Sequence, residues 1–242
     1  MPSQRYVSDE LTHFVGRGLR SQEEQYRLFR KILKERQLRA TSPVPPGRAR
    51  YALKIHPRSR LSENDAFQGS YVCFCDIPLA DLDLHMDKYS RFGIAFPKAF
   101  LLKNGATPVM YVPDRGRPAL LPFHPYGRGI VRSNSVAFDE FWRRYHRLRS
   151  KMEKTRDKAG ELARLLADVC SFLDINLLSY LKFFDPRLYD DDKRNFYMER
   201  EWRVMRPVRF GLIDVARVIV PVRFARRFRD NFPRYDGEVV FG

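Results

Sequence analysis

Residues 71–100 read YVCFCDIPLADLDLHMDKYSRFGIAFPKAF and place a strand, a helix and a second strand in close succession. The apolar run at 71–75 is typical of a buried strand, and so is FGIAF at 92–96. Between them, apolar residues at helical spacing predict a helix over 78–89. Pro97 then stands where a further helix would begin. The segment is nearly neutral in charge and apolar, so we expect it to form the centre of the core.

The chain before this segment predicts one strand and one long helix. The stretch ELTHFV at 10–15 alternates weakly, as a half-buried strand does. Apolar residues at helical spacing predict a helix over 21–37, and Ser21 followed by Glu24 matches a capping box. The Pro- and Gly-rich stretch at 41–50 predicts a loop that continues in polar sequence to residue 69.

The chain after this segment mixes helices and strands in no regular order. A helical block is predicted over 136–184, with a break near 159–160. Strands are predicted at 108–112, 200–205, 216–220 and 238–241, with a short helix at 224–232. Without βαβ alternation, the pattern favours the α+β class, and we expect a single domain over residues 1–242.

Composition excludes several classes of protein. The chain has 242 residues, 44% of them hydrophobic, which suffices for a core. No apolar run approaches the length of a membrane span, and the first residues lack the apolar region of a secretory signal. Three cysteines cannot form a disulfide framework, so we expect a cytoplasmic protein. The motifs of P-loop, Rossmann, nucleophile-elbow and zinc-protease enzymes are missing from the sequence.

The charge favours a polyanionic partner. Lys and Arg total 45 against 29 acidic residues, giving a formal net charge of +16. Most of the basic residues are arginine, whose planar guanidinium binds phosphate in a bidentate manner. The excess lies at both ends of the chain, within 1–60 and 200–242. Nucleic acid is therefore the first partner to expect, although an ordinary solvated surface would give the same composition.

Two glutamates near the carboxy end are the main candidates for chemistry. The stretch MEREWRV at 198–204 places Glu199 and Glu201 on one face of a predicted strand, because side chains alternate. Paired carboxylates raise one another's pKa and are useful in a cleft. The local pattern by itself favours an edge strand whose solvent face carries Glu199, Glu201 and Arg203 or their partners.

Further candidates are His13, which lies on the first strand with Arg17 nearby, and Tyr89, which precedes Ser90 at a helix-to-strand junction. A lone His or Tyr in such a place is more often structural, but Tyr89 could stack on a flat ring. Cys73 and Cys75 are too close for a zinc site and lack a second ligand pair, so no metal is expected.

Several phrases together resemble the AbiGi family of abortive phage-resistance proteins. They are LTHFVGR, the phrase KILKERQL, the stretch from YVCFCDIPLADLDLHMDKYSRFGIAF to PVMYV, then EREWRV and the closing VIVP. The resemblance covers residues 7–241 and is weakest in the helical block. The family is described as the antitoxin of an abortive-infection pair, which implies a cognate toxin as partner, whereas a toxin role for this chain would imply a cognate antitoxin.

The same phrases resemble, more distantly, the DNA ADP-ribosyltransferase toxins of the DarT type. This resemblance implies an ADP-ribosyltransferase-like split central sheet, with the helical block at about 136–184 as an insertion. It implies NAD as substrate, Glu201 and Glu199 as catalytic residues, and an NAD site formed by His13, Phe14, Arg17, Tyr89 and Ser90. The catalytic arginine of that family has no clear match here, and Arg17, Arg48 and Arg50 are the candidates.

These observations leave two functions open. The first is an NAD-dependent ADP-ribosyltransferase that modifies DNA or RNA as an antiphage toxin. The second is a non-catalytic antitoxin, or a nucleic-acid-binding regulator, although no helix-turn-helix pattern is visible in the basic amino-terminal part. A metal-dependent nuclease is disfavoured because Asp190, Asp191 and Asp192 are consecutive and cannot all face one ion.

Overall fold

The structure is a computed structural model that describes residues 8–40, 54–56, 58–78, 81–114, 134–154, 160–192 and 194–242. Its helices are α1 (Gln22–Glu35), α2 (Leu82–Lys88), α3 (Lys98–Lys103), α4 (Asn134–Lys154), α5 (Glu161–Phe172) and α6 (Ala225–Asn231). The strands from the first half of the chain are β1 (Glu10–Phe14), β2 (Gln37–Leu38), β3 (Lys54–Ile55), β4 (Phe67–Gln68), β5 (Val72–Cys75), β6 (Gly93–Pro97), β7 (Thr107–Pro108) and β8 (Met110–Pro113). The later strands are β9 (Leu181–Phe184), β10 (Glu201–Val204), β11 (Val208–Arg209), β12 (Arg217–Val220) and β13 (Glu238–Phe241). This mixture confirms the α+β class.

Helix α1 begins and ends where its sequence directs. The Ser21 side chain accepts a hydrogen bond from the Glu24 amide, and the Glu24 carboxylate accepts one from the Ser21 amide, which completes the predicted capping box. Tyr26, Phe29 and Leu33 form the buried stripe. The helix ends at Arg36, whose φ of 53° lies in the left-handed region.

The main sheet has seven strands in the order β13-β12-β6-β1-β5-β10-β7. All neighbours are antiparallel except β12 and β13, which are parallel. Strands β1 and β6 are joined over five residue pairs, from Glu10↔Pro97 to Phe14↔Gly93. Strands β1 and β5 are joined by the single pair Thr12↔Cys75. We call the line between β1 and β5 the seam, because it is the weakest junction inside the sheet.

The two faces of this sheet pack against different helices. One face, which we call the α1 face, carries Leu11, Phe74 and Val218 into the larger hydrophobic cluster, together with the stripe of α1 and residues of α6. The other, the α2 face, carries Cys75 and Ile219 into a smaller cluster with residues of α2. Strand alternation assigns each residue of β1, β5 and β10 to one of these faces.

The chain forms two compact units. One contains Met1–Thr41, Tyr71–Pro108 and Met198–Gly242, and therefore the main sheet with α1, α2, α3 and α6. The other contains Ser42–Ser70 and Val109–Tyr197. In this second unit Trp142 and Tyr145 of α4 pack in a cluster with Phe183 of β9, and β8 pairs with β9 in parallel. The single domain with a helical insertion stays a prediction.

Two local predictions are corrected in the second unit. Residues 181–184 were expected in the helical block but form β9, because their burial alternates and β8 offers them hydrogen-bonding partners. The polar stretch before residue 69 was expected as a loop but contains the paired strands β3 and β4 and a 3₁₀ turn at Leu61–Glu63. The loop at 41–50 lies outside the described residues.

Among the described residues, no helix combines the length and the apolar character that crossing a membrane requires.

Candidate functional site

A buried carboxylate with two donors lies beside the end of α2. The Glu199 side chain is almost fully buried, and its Oε1 accepts a hydrogen bond from the Tyr89 hydroxyl. The same oxygen lies 2.9 Å from the Lys88 Nζ, so consecutive residues at the end of α2 both bind it. Burial and the adjacent carboxylate raise the pKa of Tyr89 well above its usual range, so the Tyr89 hydroxyl stays protonated and donates its hydrogen bond to Glu199.

The backbone at Arg200 decides where the two glutamates lie. Its φ is 43°, in the left-handed region that costs a non-glycine residue energy. The Arg200 carbonyl accepts a hydrogen bond from the Asp76 amide, and its guanidinium lies 3.6 Å from the Asp76 carboxylate. Asp76 also binds the Lys98 Nζ at 2.8 Å, so ionic contacts to the buried Asp76 carboxylate stabilise this unusual conformation.

This kink corrects the prediction that Glu199 and Glu201 occupy one strand. Glu199 ends a 3₁₀ turn, Tyr197–Glu199, and only Glu201 belongs to β10. Both side chains are nevertheless buried rather than placed on a solvated edge. The sequence pattern identified the right pair of buried acids, but not the backbone that orients them.

Glu201 is held in a buried ion pair. Its Oε1 lies 2.7 Å from the Arg203 Nε, and the two side chains are only 5% and 8% exposed. The Arg203 guanidinium also stacks over the Tyr71 ring at 4.3 Å. Burial by itself lowers the pKa of Arg203, but the facing Glu201 carboxylate raises it overall, so the arginine remains charged. The Glu201 charge is thus neutralised within the strand that carries it.

His13 occupies the seam. Its Nδ1 lies 2.8 Å from the Cys73 carbonyl oxygen, and its ring contacts Phe74. This side-chain hydrogen bond spans β1 and β5 next to their single backbone pair. Burial lowers the pKa of His13, so the imidazole is neutral near pH 7 and donates through Nδ1 to the carbonyl.

The sheet register brings His13 near Glu201 but aims their side chains apart. Thr12, Cys75 and Glu201 form one row across three strands, so the His13 and Glu201 backbones are separated by about 10 Å. Alternation directs Thr12 and Glu201 to the α2 face, and His13 toward Phe74 on the α1 face. The NAD site implied by the DarT-type resemblance would need the His13 imidazole and the Glu201 carboxylate to line one cleft, whereas in this sheet they point to opposite faces.

Two residues of the NAD site implied by the resemblance, Phe14 and Arg17, lie against the Tyr89 ring. Phe14 stacks on the Tyr89 ring with centroids 5.9 Å apart and an angle of 11°. The Arg17 guanidinium lies 4.8 Å from the centre of the same ring. Phe14 is the last residue of β1, Arg17 follows it three positions later, and Glu199 binds the hydroxyl of this ring. Four of the predicted residues thus form one cluster on the α2 side of the sheet.

The remaining candidates are Ser90 and the arginines considered for the catalytic role. The Ser90 Oγ is buried and accepts a hydrogen bond from the Phe92 amide, which shapes the turn into β6. Arg48 and Arg50 lie outside the described residues. Of the three arginines proposed from sequence, Arg17 is therefore the one that the structure places beside Tyr89.

His85 is a site residue that the sequence did not single out as functional. Its side chain is buried, and its Nδ1 has no hydrogen-bond partner. Burial lowers its pKa to about 4, with the nearby Glu199 raising it in part and Lys88 lowering it. Its position one helical turn before Tyr89 was the available signal, because residues four apart share a helix face. Within the described parts of the chain, no three metal-binding side chains cluster together.

Comparison with known proteins identifies the family. A family model described as abortive phage resistance protein AbiGi, antitoxin, matches residues 60–220. The chain belongs to the AbiGi family. It is 28% identical over 161 residues to the abortive phage resistance protein AbiGi of Lactococcus lactis subsp. cremoris, an alignment that covers 58% of this chain. The match spans 53% of that AbiGi protein, about half its length. No solved structure matches the chain.

The AbiGi match confirms the predicted family, whose description refers to abortive phage resistance. The matched region contains the α2 cluster around Tyr89 and Glu199 and the Glu201–Arg203 pair, and it begins after His13 and Arg17. The DarT-type resemblance, the NAD site and the catalytic roles of these residues stay predictions.

Proposed function

We propose that this chain acts in abortive phage defence as a non-catalytic antitoxin that binds and restrains a partner toxin. The description of the family whose model it matches supports this role. The observation that supports this role most directly is that the Glu201 carboxylate is already paired with Arg203. A carboxylate that must stabilise a cationic reaction centre has to be available to it, whereas this one is already bound to Arg203.

The Arg203 guanidinium competes with any second cation for the Glu201 carboxylate. An oxocarbenium-like centre is stabilised by a nearby anion, as in glycoside hydrolysis. Here a guanidinium lies 2.7 Å from the Glu201 oxygen and, with it, is nearly excluded from water. Since the pair is neutral overall, the attraction that the site offers a second cation is much reduced. A structural role for Glu201 in β10 accounts for the same geometry.

Co-expression tests the antitoxin function. The gene that neighbours this one in its own genome is expressed alone, where we expect growth arrest, and then together with this chain, where we expect rescue and a co-purifying complex. The double variant Glu201→Gln/Arg203→Met removes both charges and should still rescue. Loss of rescue in that variant, with normal folding and expression, would count against a non-catalytic role.

A second function is favoured by the seam and by the Tyr89 cluster. We propose, as the alternative, an NAD-dependent ADP-ribosyltransferase that modifies DNA or RNA. The single residue pair between β1 and β5 is compatible with a split central sheet that opens beside His13. The stacked Phe14 and Tyr89 rings and the Arg17 guanidinium offer a flat apolar surface and a positive charge, which suit a nicotinamide ring and a pyrophosphate.

In this alternative, the residues of the cluster and of β10 would take the following roles. NAD would supply an ADP-ribosyl group as the bond between nicotinamide and ribose breaks. Glu201 would have to exchange Arg203 for the ribose, and Glu199 would accept the proton released by the attacking base. Ser90 would hold the turn that positions Tyr89. The required breaking of the Glu201–Arg203 pair is the reason that this function comes second.

Labelled NAD tests the alternative directly. The purified chain is incubated with labelled NAD and with single-stranded DNA or RNA, and transfer of label is measured. The enzyme hypothesis expects transfer that disappears in Glu199→Gln and in Glu201→Gln, provided that both variants remain folded. Intact NAD and unlabelled nucleic acid and protein would reject it. A polyanion-binding surface should also lose nucleic-acid affinity steeply as salt is raised.

A further inference from the structure

Helix α5 carries an apolar stripe that faces solvent. Leu162, Leu165, Val169 and Phe172 are 70%, 56%, 53% and 63% exposed. Their spacing of three, four and three residues places them on one side of the helix. An exposed apolar face of this length on a helix usually marks an interaction surface, because single scattered apolar residues would not align.

The helix has little contact with the rest of its own unit through this face. Cys170 is the buried residue of α5, and it packs in the cluster that contains Tyr145 and Met152 of α4. Cys170 lies about 100° around the helix from Val169, because each residue turns the helix by that angle. The stripe and the packed side of α5 are therefore different parts of its surface.

We propose that the exposed stripe of α5 pairs with the same stripe of a second copy of this chain in an antiparallel homodimer. The sequence is self-complementary in that register. With residue 167 at the two-fold axis, Leu162 lies opposite Phe172 of the second copy, and Leu165 lies opposite Val169. Each large side chain thus meets another large apolar side chain along about 15 Å of helix.

The charges beside the stripe fit a second copy better than an acidic partner. Glu161, Arg164 and Asp168 are exposed and lie along one edge of the stripe. A two-fold axis places this edge next to the same edge of the second copy, where Arg164 of each chain comes within reach of Asp168 of the other. The edge is nearly balanced in charge, whereas the chain as a whole carries +16.

The size of the stripe predicts a weak dimer. Stable protein interfaces bury about 1,200–2,000 Å² in total, and one pair of 12-residue helices offers less than that. We therefore expect a reversible dimer with a Kd on the order of 10–100 µM. Such an association would be visible at high protein concentration and would disappear on dilution.

Sedimentation velocity of the nuclease-treated full chain over a range of concentrations tests the proposal. Leu165→Glu should weaken the dimer at least tenfold. The matched control is Leu102→Glu on α3, since Leu102 is 55% exposed and lies outside the stripe. This variant should dimerise like the unmodified chain. Circular dichroism of both variants should match that of the unmodified chain, because both side chains project into water.

A charge exchange tests the register. Arg164→Glu alone makes the edge uniformly acidic and should weaken the dimer severalfold, and adding Asp168→Arg should restore it. A chain that stays monomeric at every concentration overturns the proposal. So does a dimer that Leu165→Glu leaves intact, or that Leu102→Glu weakens equally. Formation of a one-to-one complex with the partner toxin by an otherwise monomeric chain, lost in Leu165→Glu, would assign the stripe to that toxin instead.

Discussion

Breaking the Glu201–Arg203 pair from either side should destabilise the protein, whereas removing both charges should not. The two side chains are 5% and 8% exposed, and their charged atoms are 2.7 Å apart. Removing one partner of a buried pair leaves an uncompensated charge and costs about 3–5 kcal/mol. Replacing both partners with uncharged groups of similar size is close to neutral.

The two single variants should lose different amounts of folding free energy. In Glu201→Gln the amide oxygen can still accept the Arg203 Nε–H, and Arg203 keeps its contact with the Tyr71 ring, so we expect about 3 kcal/mol. In Arg203→Met the carboxylate loses its guanidinium, and we expect about 5 kcal/mol. At about 2–4 °C per kcal/mol, the Tm should fall by roughly 6–12 °C in Glu201→Gln and by roughly 10–20 °C in Arg203→Met.

Urea unfolding followed by circular dichroism measures these effects. The control is Glu23→Gln, which breaks an exposed pair of similar length, 2.8 Å from Glu23 to Arg227, in the same unit. That change should leave the unfolding midpoint almost unmoved, because water screens the charges. The reasoning is refuted if Glu201→Gln is as mild as Glu23→Gln, or if the double variant Glu201→Gln/Arg203→Met is less stable than both single variants.

Three other features give testable expectations. Burial lowers the pKa of His85 to about 4 from 6.5. As the pH falls from 6.5 to about 4, the unfolded chain binds a proton at His85 before the folded chain does, so the free energy of unfolding decreases. In urea titrations at several pH values, His85→Gln should flatten that slope. Burial raises the pKa of Tyr89, as it does for Tyr145 and Tyr235, so ultraviolet titration should show a group of tyrosines that stay protonated when others ionise at about pH 10, and Tyr89→Phe should remove one tyrosine from that group. Gly16→Ala should destabilise by more than about 1 kcal/mol and more than Gly18→Ala in thermal unfolding, because both have positive φ but only at Gly16 would a Cβ meet Gln25, at 2.8 Å.

Local signals in the sequence predicted most of the main sheet and its helices. The capping box at Ser21 and Glu24 and the stripe of α1 need only nearby residues, so they could be recognised without a partner. The same holds for β13, whose predicted bounds agree with the structure. In contrast, β9 exists because β8 pairs with it, and that pairing joins residues about 70 positions apart in the sequence.

The candidate site was less predictable, because its orientation depends on contacts that are distant along the chain. Asp76 and Lys98 lie far from Arg200 in sequence, yet Asp76 stabilises the kink that separates Glu199 from β10. The pairing of Glu201 with Arg203 could have been inferred, since residues two apart on a strand share a face.

The seam has a consequence for how the protein opens. In most sheets the edge strands exchange their amide protons first and the central strands last. Here Thr12 and Cys75 form the one backbone pairing between two central strands, and the His13 side chain spans the remaining gap. Amides of β5 that face β1 should therefore exchange with deuterium sooner than those of β6 that face β1. The main sheet would then separate first between two of its central strands, where the His13 imidazole supplies the additional hydrogen bond that holds them together.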